Sequence, residues 1–301
     1  MTITTHPLSA KDKDITAAMR AATAPNKGRL RGIGARAPFD AIIGAASPAD
    51  GVTYLPDTVG GISGWWCLPP GAQVGRAVLH VHGGWFHWGS AQAYRHLVGQ
   101  IAARARADTF IPDYRLAPEH VFPAGLTDVE ACFLGLGAKG YGRIAVTGDS
   151  AGGNLALVLA SRSMEGSSPV AIAVLSPVTD LSMSSASWDS RADADFFFTR
   201  SQAEELAGSY LAGADPCDPL ASPVFARLDR LPPIRAHVGD QEALLDDSRR
   251  FVERAVAAGV DARLDIWSGM PHGFAGGVGK LSAADQALDS IGEFLAGHLA
   301  A

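Results

Sequence analysis

The chain has 301 residues, of which 47% are hydrophobic and 19% charged, and its formal net charge is −6. This acidic balance argues against a general nucleic-acid surface, and no apolar run approaches the roughly 18 residues that a membrane-spanning helix needs. Residues 1–14 lack the apolar stretch of a secretory signal. Three widely separated cysteines outside metal-ligand spacing indicate free thiols in a reducing compartment: Cys67, Cys132 and Cys217. We therefore expect a cytoplasmic protein with no metal, cofactor, membrane or nucleic-acid partner.

Strands and helices alternate along most of the predicted chain. Residues 1 to about 45 look partly helical. The predicted strands are 52–68 (interrupted at Gly60-Gly61), 77–82, 108–113, 143–147, 170–175, 234–238 and 261–267. The predicted helices are 91–107, 124–137, 154–164, 202–211, 244–258 and 283–299. This alternation predicts an α/β fold in one domain, residues 1–301, with a mainly parallel sheet covered by helices on both faces.

The most informative motif is the Gly-x-Ser-x-Gly run at Gly148, Ser150 and Gly152. It lies between a predicted buried strand and a helix rich in Leu and Ala. This is the context of a nucleophile elbow, a sharp strand-to-helix turn that holds a reactive serine. The alternative is a glycine-rich turn whose serine only caps the helix. The flanking context favours Ser150 as a nucleophile.

A second motif follows the strand at 77–82, where His82 leads into Gly83, Gly84 and Trp85. Acyl transfer needs hydrogen-bond donors aimed at the oxygen that becomes negative in the tetrahedral intermediate. Backbone N–H groups of a glycine-rich loop and of the residue after the nucleophile supply them in α/β-hydrolases. We therefore predict an oxyanion hole from Gly84, Trp85 and Ala151, with Gly83 shaping the loop.

From about residue 75 onward the chain resembles the bacterial hormone-sensitive-lipase-like esterases. Five segments carry the resemblance: His82-Gly83-Gly84, Asp113–His120, Gly148–Gly153, Leu175–Asp180 and Pro271–Phe274. The resemblance implies an α/β-hydrolase fold with a helical cap from about 1–45 and 181–222, and short to medium acyl chains. This chain departs from the family pattern at Trp85, where a third glycine is usual. The indole is therefore expected in the substrate pocket or its wall.

The histidine of a catalytic triad follows from chain order, because in this fold the order is serine, acid, histidine. Only two histidines, His272 and His298, come after the acidic candidates. His298 lies in the predicted last helix, where packing or a surface position is expected. His272 lies in a loop after a strand, from which it can reach back over the serine and shuttle its proton.

Two carboxylates compete for the acid position in the loop after the strand 234–238. Many relatives have Asp-Pro-Leu there, with the catalytic Asp two residues before the Leu. By that resemblance the matching residue is Glu242, which precedes Ala243-Leu244. Asp240 lies nearer the strand end and stays the alternative.

Several aromatic residues are candidates to line the pocket, namely Trp85, Phe86, Trp88, Trp188 and Phe274. The run Phe196–Phe198 is assigned either to packing or to a lid over the site. The segment Asp113–His120 is expected to build a structural corner in which Arg115 pairs with Glu119.

These observations predict a serine carboxylesterase that hydrolyses small-molecule esters, aliphatic, aryl or lactone, through an acyl-serine intermediate. Ser150, His272 and Glu242 would form its triad. Hydrolysis of an amide or carbamate by the same residues is the first alternative. A non-catalytic binding protein on this fold is the second, which the retention of all three triad residues disfavours. The sequence leaves open whether the protein forms a homodimer.

Overall fold

The structure, a computed structural model, describes residues 2–162 and 167–301. Its strands within those ranges are β1 (Thr2–His6), β2 (Thr53–Val59), β3 (Ile62–Leu68), β4 (Arg76–Val81), β5 (Asp108–Pro112), β6 (Arg143–Asp149), β7 (Ile172–Leu175), β8 (Ile234–Gly239) and β9 (Ala262–Trp267). Its helices are α1 (Ala10–Thr23), α2 (Arg36–Ile43), α3 (Ala91–Ala105), α4 (Ala124–Ala138), α5 (Ser150–Ser161), α6 (Ser187–Ser190), α7 (Arg200–Leu211), α8 (Leu245–Ala257) and α9 (Ser282–Ala300).

The strands form one sheet in the order β1-β9-β8-β7-β6-β4-β5-β3-β2. Strand β3 pairs antiparallel with β2 and β5, and every other pairing in the described sheet is parallel. The predicted mainly parallel α/β fold is therefore confirmed. Because β4, β6, β7, β8 and β9 run in one direction, their carboxyl ends meet at a single edge of the sheet.

The sheet separates two apolar cores. Alternating residues of β4 show this: Leu79 packs in one cluster and Val78 in the other. The first cluster contains side chains of α4, α5 and α8, and the second contains those of α3 and α9. Helices thus cover both faces, which explains why the central strands are almost entirely apolar.

Two predicted boundaries differ from the structure in informative ways. Helix α5 begins at Ser150 rather than at Asn154, because the turn enters the helix directly from β6. The predicted end of that helix at Met164 lies outside the described residues. The N-terminal segment, expected to be helical or loop-like, begins instead with β1.

Strand β1 pairs in parallel with β9 at the edge of the sheet. Its last residue, His6, stacks on Trp267 at 3.9 Å between ring centroids, and its Nε2 lies 2.8 Å from Asp265 Oδ1. Residues 2–6 therefore belong to the sheet, and the predicted cap boundary at residue 1 is wrong for this strand. The polar sequence of β1 gave no apolar pattern, because its partner lies at the far end of the chain.

Two segments lie over the carboxyl edge of the sheet and contact each other. We call residues 10–43 the arm and residues 181–222 the excursion. The amide of Gly28 in the arm donates to the carbonyl of Phe197 at 2.8 Å, and Gln202 Nε2 donates to the carbonyl of Leu30 at 2.8 Å. One backbone and one side-chain hydrogen bond thus join the arm to the excursion.

The corner at Asp113–His120 is held by different partners from those predicted. Arg115 pairs with buried Asp128 of α4, at 2.7 Å between Nη2 and Oδ1. Glu119 pairs with Arg36 of the arm, at 2.7 Å between Oε2 and Nη2. The predicted pair of Arg115 with Glu119 is therefore wrong, since each residue finds a partner from a different element. The second ion pair fastens α2 to the corner.

Candidate active site

Ser150 lies at the turn between β6 and α5, with its backbone in the left-handed region at φ 54°. A non-glycine residue in this region is strained, and such strain persists only where its surroundings fix it. The flanking glycines make the turn possible. A Cβ on Gly148 would lie 2.5 Å from the carbonyl oxygen of Gly152, and one on Gly152 would lie 2.0 Å from that of Val81. The predicted sharp strand-to-helix turn is therefore present.

The glycine loop after β4 lies beside this turn. The amide of Gly83 donates to Asp149 Oδ1 at 3.0 Å, which ties the loop to the residue before Ser150. Gly84 and Trp85 both have positive φ, 116° and 53°. Neither of their amides donates a hydrogen bond within residues 2–162 and 167–301. The amide of Ala151, in the first turn of α5, has no intrahelical acceptor.

These three amides are donors available to an anion near Ser150. The Gly83 amide is already used, which agrees with its predicted role in shaping the loop. Free N–H groups at a helix N-terminus and in a neighbouring loop are the donors that an oxyanion requires. The amides of Gly84, Trp85 and Ala151 are therefore unpaired within the described residues, and their role in an oxyanion hole stays a prediction.

His272 and Glu242 are in direct contact. The loop after β9 carries His272, and its Nδ1 lies 2.7 Å from Glu242 Oε2. The other carboxylate oxygen of Glu242 accepts from Ser176 Oγ and from the amide of Gly239, both at 2.7 Å. Glu242 is fully buried. These three hydrogen bonds hold the orientation of its carboxylate.

Asp240 makes other contacts. Its Oδ1 accepts from the amide of Gly269 at 2.7 Å and from the side chain of Gln241 at 2.9 Å. No hydrogen bond joins Asp240 to His272 among the residues that the structure describes. Asp240 therefore braces the loop that carries His272, while Glu242 contacts the imidazole itself.

Several charges act on His272. Burial of the imidazole disfavours its charged form and lowers its pKa, but the charge of Glu242 and its hydrogen bond act in the opposite direction. The charges of Asp195 and Asp149 add to that effect, so the pKa of His272 lies above its usual value. The side chain keeps 12% of its surface exposed. A partly accessible imidazole beside a buried carboxylate can act as a base and then as an acid.

Ser150 and His272 are not hydrogen bonded to each other in the described residues. Within residues 2–162 and 167–301 the hydroxyl of Ser150 makes no hydrogen bond, and its carbonyl accepts from the amide of Val178 at 3.1 Å. Both residues lie at the carboxyl edge of the sheet, where β7 and β8 lie between β6, which precedes Ser150, and β9, which precedes His272. Hydrogen bonds of catalytic groups are often long without substrate and shorten in the complex.

The predicted pocket aromatics fall into two groups. Trp85 and Trp188 lie 6.1 Å apart by ring centroids, and Trp85 lies 5.7 Å from Phe198. Phe198 in turn contacts the imidazole of His272 edge-on, at 5.3 Å. Trp85, Trp188 and Phe198 therefore form one aromatic group that reaches His272.

The remaining pocket candidates have contacts typical of packing. Phe86 stacks face to face on Tyr210 at 3.8 Å. The indole of Trp88 donates to the carbonyl of Gly32 at 2.9 Å. Phe274 packs against Trp267 in a separate small cluster. None of these contacts is with Ser150 or His272.

Two residues of the site were not predicted from the sequence. Ser176 belongs to the Leu175–Asp180 motif, and it orients Glu242 although the motif gave no sign of that contact. Asp195 lies in the excursion without any motif. No group of three or more His, Cys, Asp or Glu residues in the described ranges could hold a metal ion. No helix of the same ranges is long and apolar enough to cross a membrane.

Comparison with known proteins shows the family to which this chain is similar. A family model for the alpha/beta hydrolase fold matches residues 78–276. An acetyl-hydrolase of Streptomyces hygroscopicus is 36% identical over 219 residues, 71% of this chain and 73% of the relative. An esterase of Acinetobacter venetianus is 35% identical over 229 residues, 74% of this chain and 75% of the relative.

Solved structures give the same result over nearly the whole chain. The crystal structure of an esterase from the bacterial hormone-sensitive lipase family superposes with a TM-score of 0.90 at 34% identity. The match covers 98% of this chain and 100% of that one. The chain therefore belongs to the α/β-hydrolase fold family and, within it, to the carboxylic ester hydrolases that resemble the bacterial hormone-sensitive lipase family.

Proposed function

We propose that this protein hydrolyses carboxylic esters with short to medium acyl chains through an acyl-serine intermediate. Ser150 is the nucleophile, His272 the general base and acid, and Glu242 the carboxylate that orients His272. The observation that carries the proposal is the 2.7 Å contact between His272 Nδ1 and buried Glu242, at the sheet edge where Ser150 occupies its strained turn. Membership of the family supports ester hydrolysis as the reaction.

In the first half of the reaction, Ser150 Oγ attacks the ester carbonyl and His272 Nε2 accepts the hydroxyl proton. The carbonyl oxygen becomes an oxyanion. His272 then protonates the alkoxy oxygen as the bond from carbon to that oxygen breaks, and the alcohol leaves. In the second half, water attacks the acyl-serine, His272 takes a proton from it, and returns the proton to Ser150 Oγ as the acid is released.

Glu242 stabilises the imidazolium in both halves and keeps the Nδ1 proton directed away from Ser150. A buried carboxylate can do this because its charge is held by three hydrogen bonds. Amides of Gly84, Trp85 and Ala151 would stabilise the oxyanion. Each such donor is typically responsible for about 10²- to 10³-fold in kcat.

The arm and the excursion form the proposed cap and limit the space for substrate. Their contacts support this role, because hydrogen bonds from Gly28 and Gln202 join the two segments above the site. Trp85 and Trp188 are buried, and Phe198 lies between Trp85 and the imidazole of His272. A site enclosed by bulky aromatic side chains favours small acyl and alcohol groups, including lactones.

A panel of p-nitrophenyl esters from acetate upward, with lactones, amides and carbamates, tests the proposal. We expect kcat/KM to be highest for short acyl esters and to fall with chain length. If amides or carbamates are hydrolysed preferentially, the same residues catalyse amide or carbamate hydrolysis instead. Binding without turnover of any panel member would contradict the proposal outright.

A further inference from the structure

The loop that carries Glu242, residues 239–243, is fastened to the excursion. We call it the acid loop. The amide of Ala243 donates to Asp195 Oδ2 at 2.9 Å. The carbonyl of the same residue accepts from Ser187 Oγ, which also accepts from the amide of Asp246. The backbone next to Glu242 is thus held on both its donor and its acceptor side by residues of the excursion.

Asp195 connects this loop to the aromatic side chain that touches His272. Its second oxygen, Oδ1, accepts from the amides of Phe197 and Phe198, both at 2.8 Å. The ring of Phe198 lies edge-on to the imidazole of His272 at 5.3 Å. One carboxylate therefore fixes two backbone segments, one next to Glu242 and the other carrying the ring that contacts His272.

Burial of the Asp195 carboxylate is unfavourable unless its oxygens accept hydrogen bonds. Asp195 is 2% exposed, and a buried carboxylate is tolerated only where hydrogen bonds compensate for lost water. Three backbone amides provide that compensation here. A carboxylate is the side chain that suits them, because it has two acceptor oxygens and no donor. An amide side chain has one acceptor oxygen, so it would set an NH₂ group against one of the three amides.

Asp195 also contributes a negative charge near His272. The charged groups around the imidazole are Glu242 in the acid loop, Asp195 in the excursion and Asp149 at the end of β6. Arg20 of the arm reaches the acid loop through Gln241 Oε1 at 3.3 Å. The three carboxylates outweigh burial and favour the protonated imidazole.

We propose that Asp195 is a positioning residue of the active site, which couples the excursion to the Glu242–His272 pair. The inference rests on the proposed function, since it assigns those two residues to catalysis. With Asp195 in place, the acid loop and Phe198 hold the imidazole in one orientation. If Asp195 loses its second acceptor oxygen, the amide of Ala243 loses its partner, and the acid loop is held to the excursion less tightly, through Ser187.

The test is Asp195→Asn, with Asp193→Asn as a matched control. Asp193 is an exposed residue of the same segment, and its side chain makes no hydrogen bond among the described residues, so the control removes the same charge without affecting the acid loop. We expect kcat of Asp195→Asn to fall about 10- to 100-fold with little change in KM, because small misplacements of catalytic groups have effects of this size. The acidic limb of its pH profile should move to lower pH. The control should match the wild type.

Two further variants keep the outcome decisive. Ser187→Ala breaks the other tie of the acid loop without removing a charge, so kcat should fall while the pH limb stays in place. If Asp195→Asn does not fold, unchanged kcat in Ser187→Ala overturns the coupling. Wild-type kinetics and pH limb in folded Asp195→Asn overturn it directly. If Ser150→Ala keeps full activity, the proposed function fails instead, which separates the two failures.

Discussion

His272 and Glu242 are joined by a hydrogen bond of 2.7 Å between Nδ1 and Oε2, and Asp240 takes no part in it. The bond requires a proton on Nδ1 and leaves Nε2 free to accept one from Ser150. Asp240 instead accepts from the amide of Gly269 and supports the loop in which His272 lies. The two carboxylates of this loop therefore have different partners: Glu242 contacts the imidazole, and Asp240 contacts the backbone of the loop that carries it.

This difference predicts the result of replacing each acid by its amide. Glu242→Gln should lower kcat by about 10³- to 10⁴-fold, as expected for the acid of a triad, because the imidazolium loses its counter-charge. Asp240→Asn should cause a much smaller loss, since the amide oxygen can still accept from Gly269. Steady-state kinetics with thermal melts for folding make the comparison. If Asp240→Asn lost most of its activity while Glu242→Gln stayed active, Asp240 and not Glu242 would be the acid of the triad.

The pH dependence of kcat/KM reports on His272 as the base. Burial lowers the pKa of His272, but Glu242, Asp195 and Asp149 together raise it above its usual value. The base must be neutral to accept the Ser150 proton, so activity should rise with pH through that raised pKa. In Glu242→Gln the remaining activity should titrate at lower pH. If the acidic limb of the pH profile does not move in this variant, the group that titrates there is not the imidazole in contact with Glu242.

Trp85 offers a test of the pocket. Trp85→Gly restores the glycine that the family usually has there and relieves a positive φ of 53°. It also removes a buried indole beside Trp188 and Phe198, which opens space near His272. We expect preference to shift toward bulkier esters while p-nitrophenyl acetate is still cleaved.

The control for this variant is its melting temperature, because truncating a buried aromatic side chain to Ala typically costs about 3–5 kcal/mol. The profile should therefore be measured well below the melting transition. An unchanged order of substrates in a folded Trp85→Gly protein would mean that the indole does not limit the substrate.

Asp247 should make stability depend on pH. Burial raises the pKa of Asp247 to about 7, although hydrogen bonds from Ser185 and Thr179 oppose the shift. Since the folded pKa exceeds the unfolded one, the stabilising contribution is present at low pH and is lost as pH rises toward 7. Asp247→Asn keeps an acceptor oxygen for the amide of Thr179 and cannot ionise.

Melting temperatures of the wild type and Asp247→Asn should be compared at about pH 5 and about pH 8. Most of the stability that Asp247 loses on ionising is lost between these two pH values. The difference, variant minus wild type, should be more positive at the higher pH. An equal difference at both would show that Asp247 titrates alike in the folded and unfolded chains.

The local sequence pattern was sufficient to predict the parts of the site that neighbouring residues in the chain form. The turn at Ser150 could be predicted because strand, glycines and helix adjoin in the sequence. Chain order singled out His272, whereas the resemblance to the esterase family favoured Glu242 and left Asp240 as the alternative; the structure places His272 and Glu242 in contact. Their catalytic roles stay predictions.

The contacts between distant segments could not be predicted in this way. Strand β1 is polar and forms only because β9 offers an edge to pair with. Asp195 carries no motif, and its contact with Ala243 depends on how the excursion folds back over the sheet. The pairing of Glu119 with Arg36 likewise depends on where the arm comes to rest. Such contacts follow from tertiary packing, which leaves no periodic signal in a single sequence.

The most direct test of the account is ester turnover by Ser150→Ala. Loss of the nucleophile should lower kcat by about 10⁴-fold or more, because covalent catalysis is no longer available. Circular dichroism should be unchanged, since Ala removes one hydroxyl that makes no hydrogen bond in the part of the chain that the structure describes. Substantial ester hydrolysis by the well-folded variant would contradict the acyl-serine mechanism.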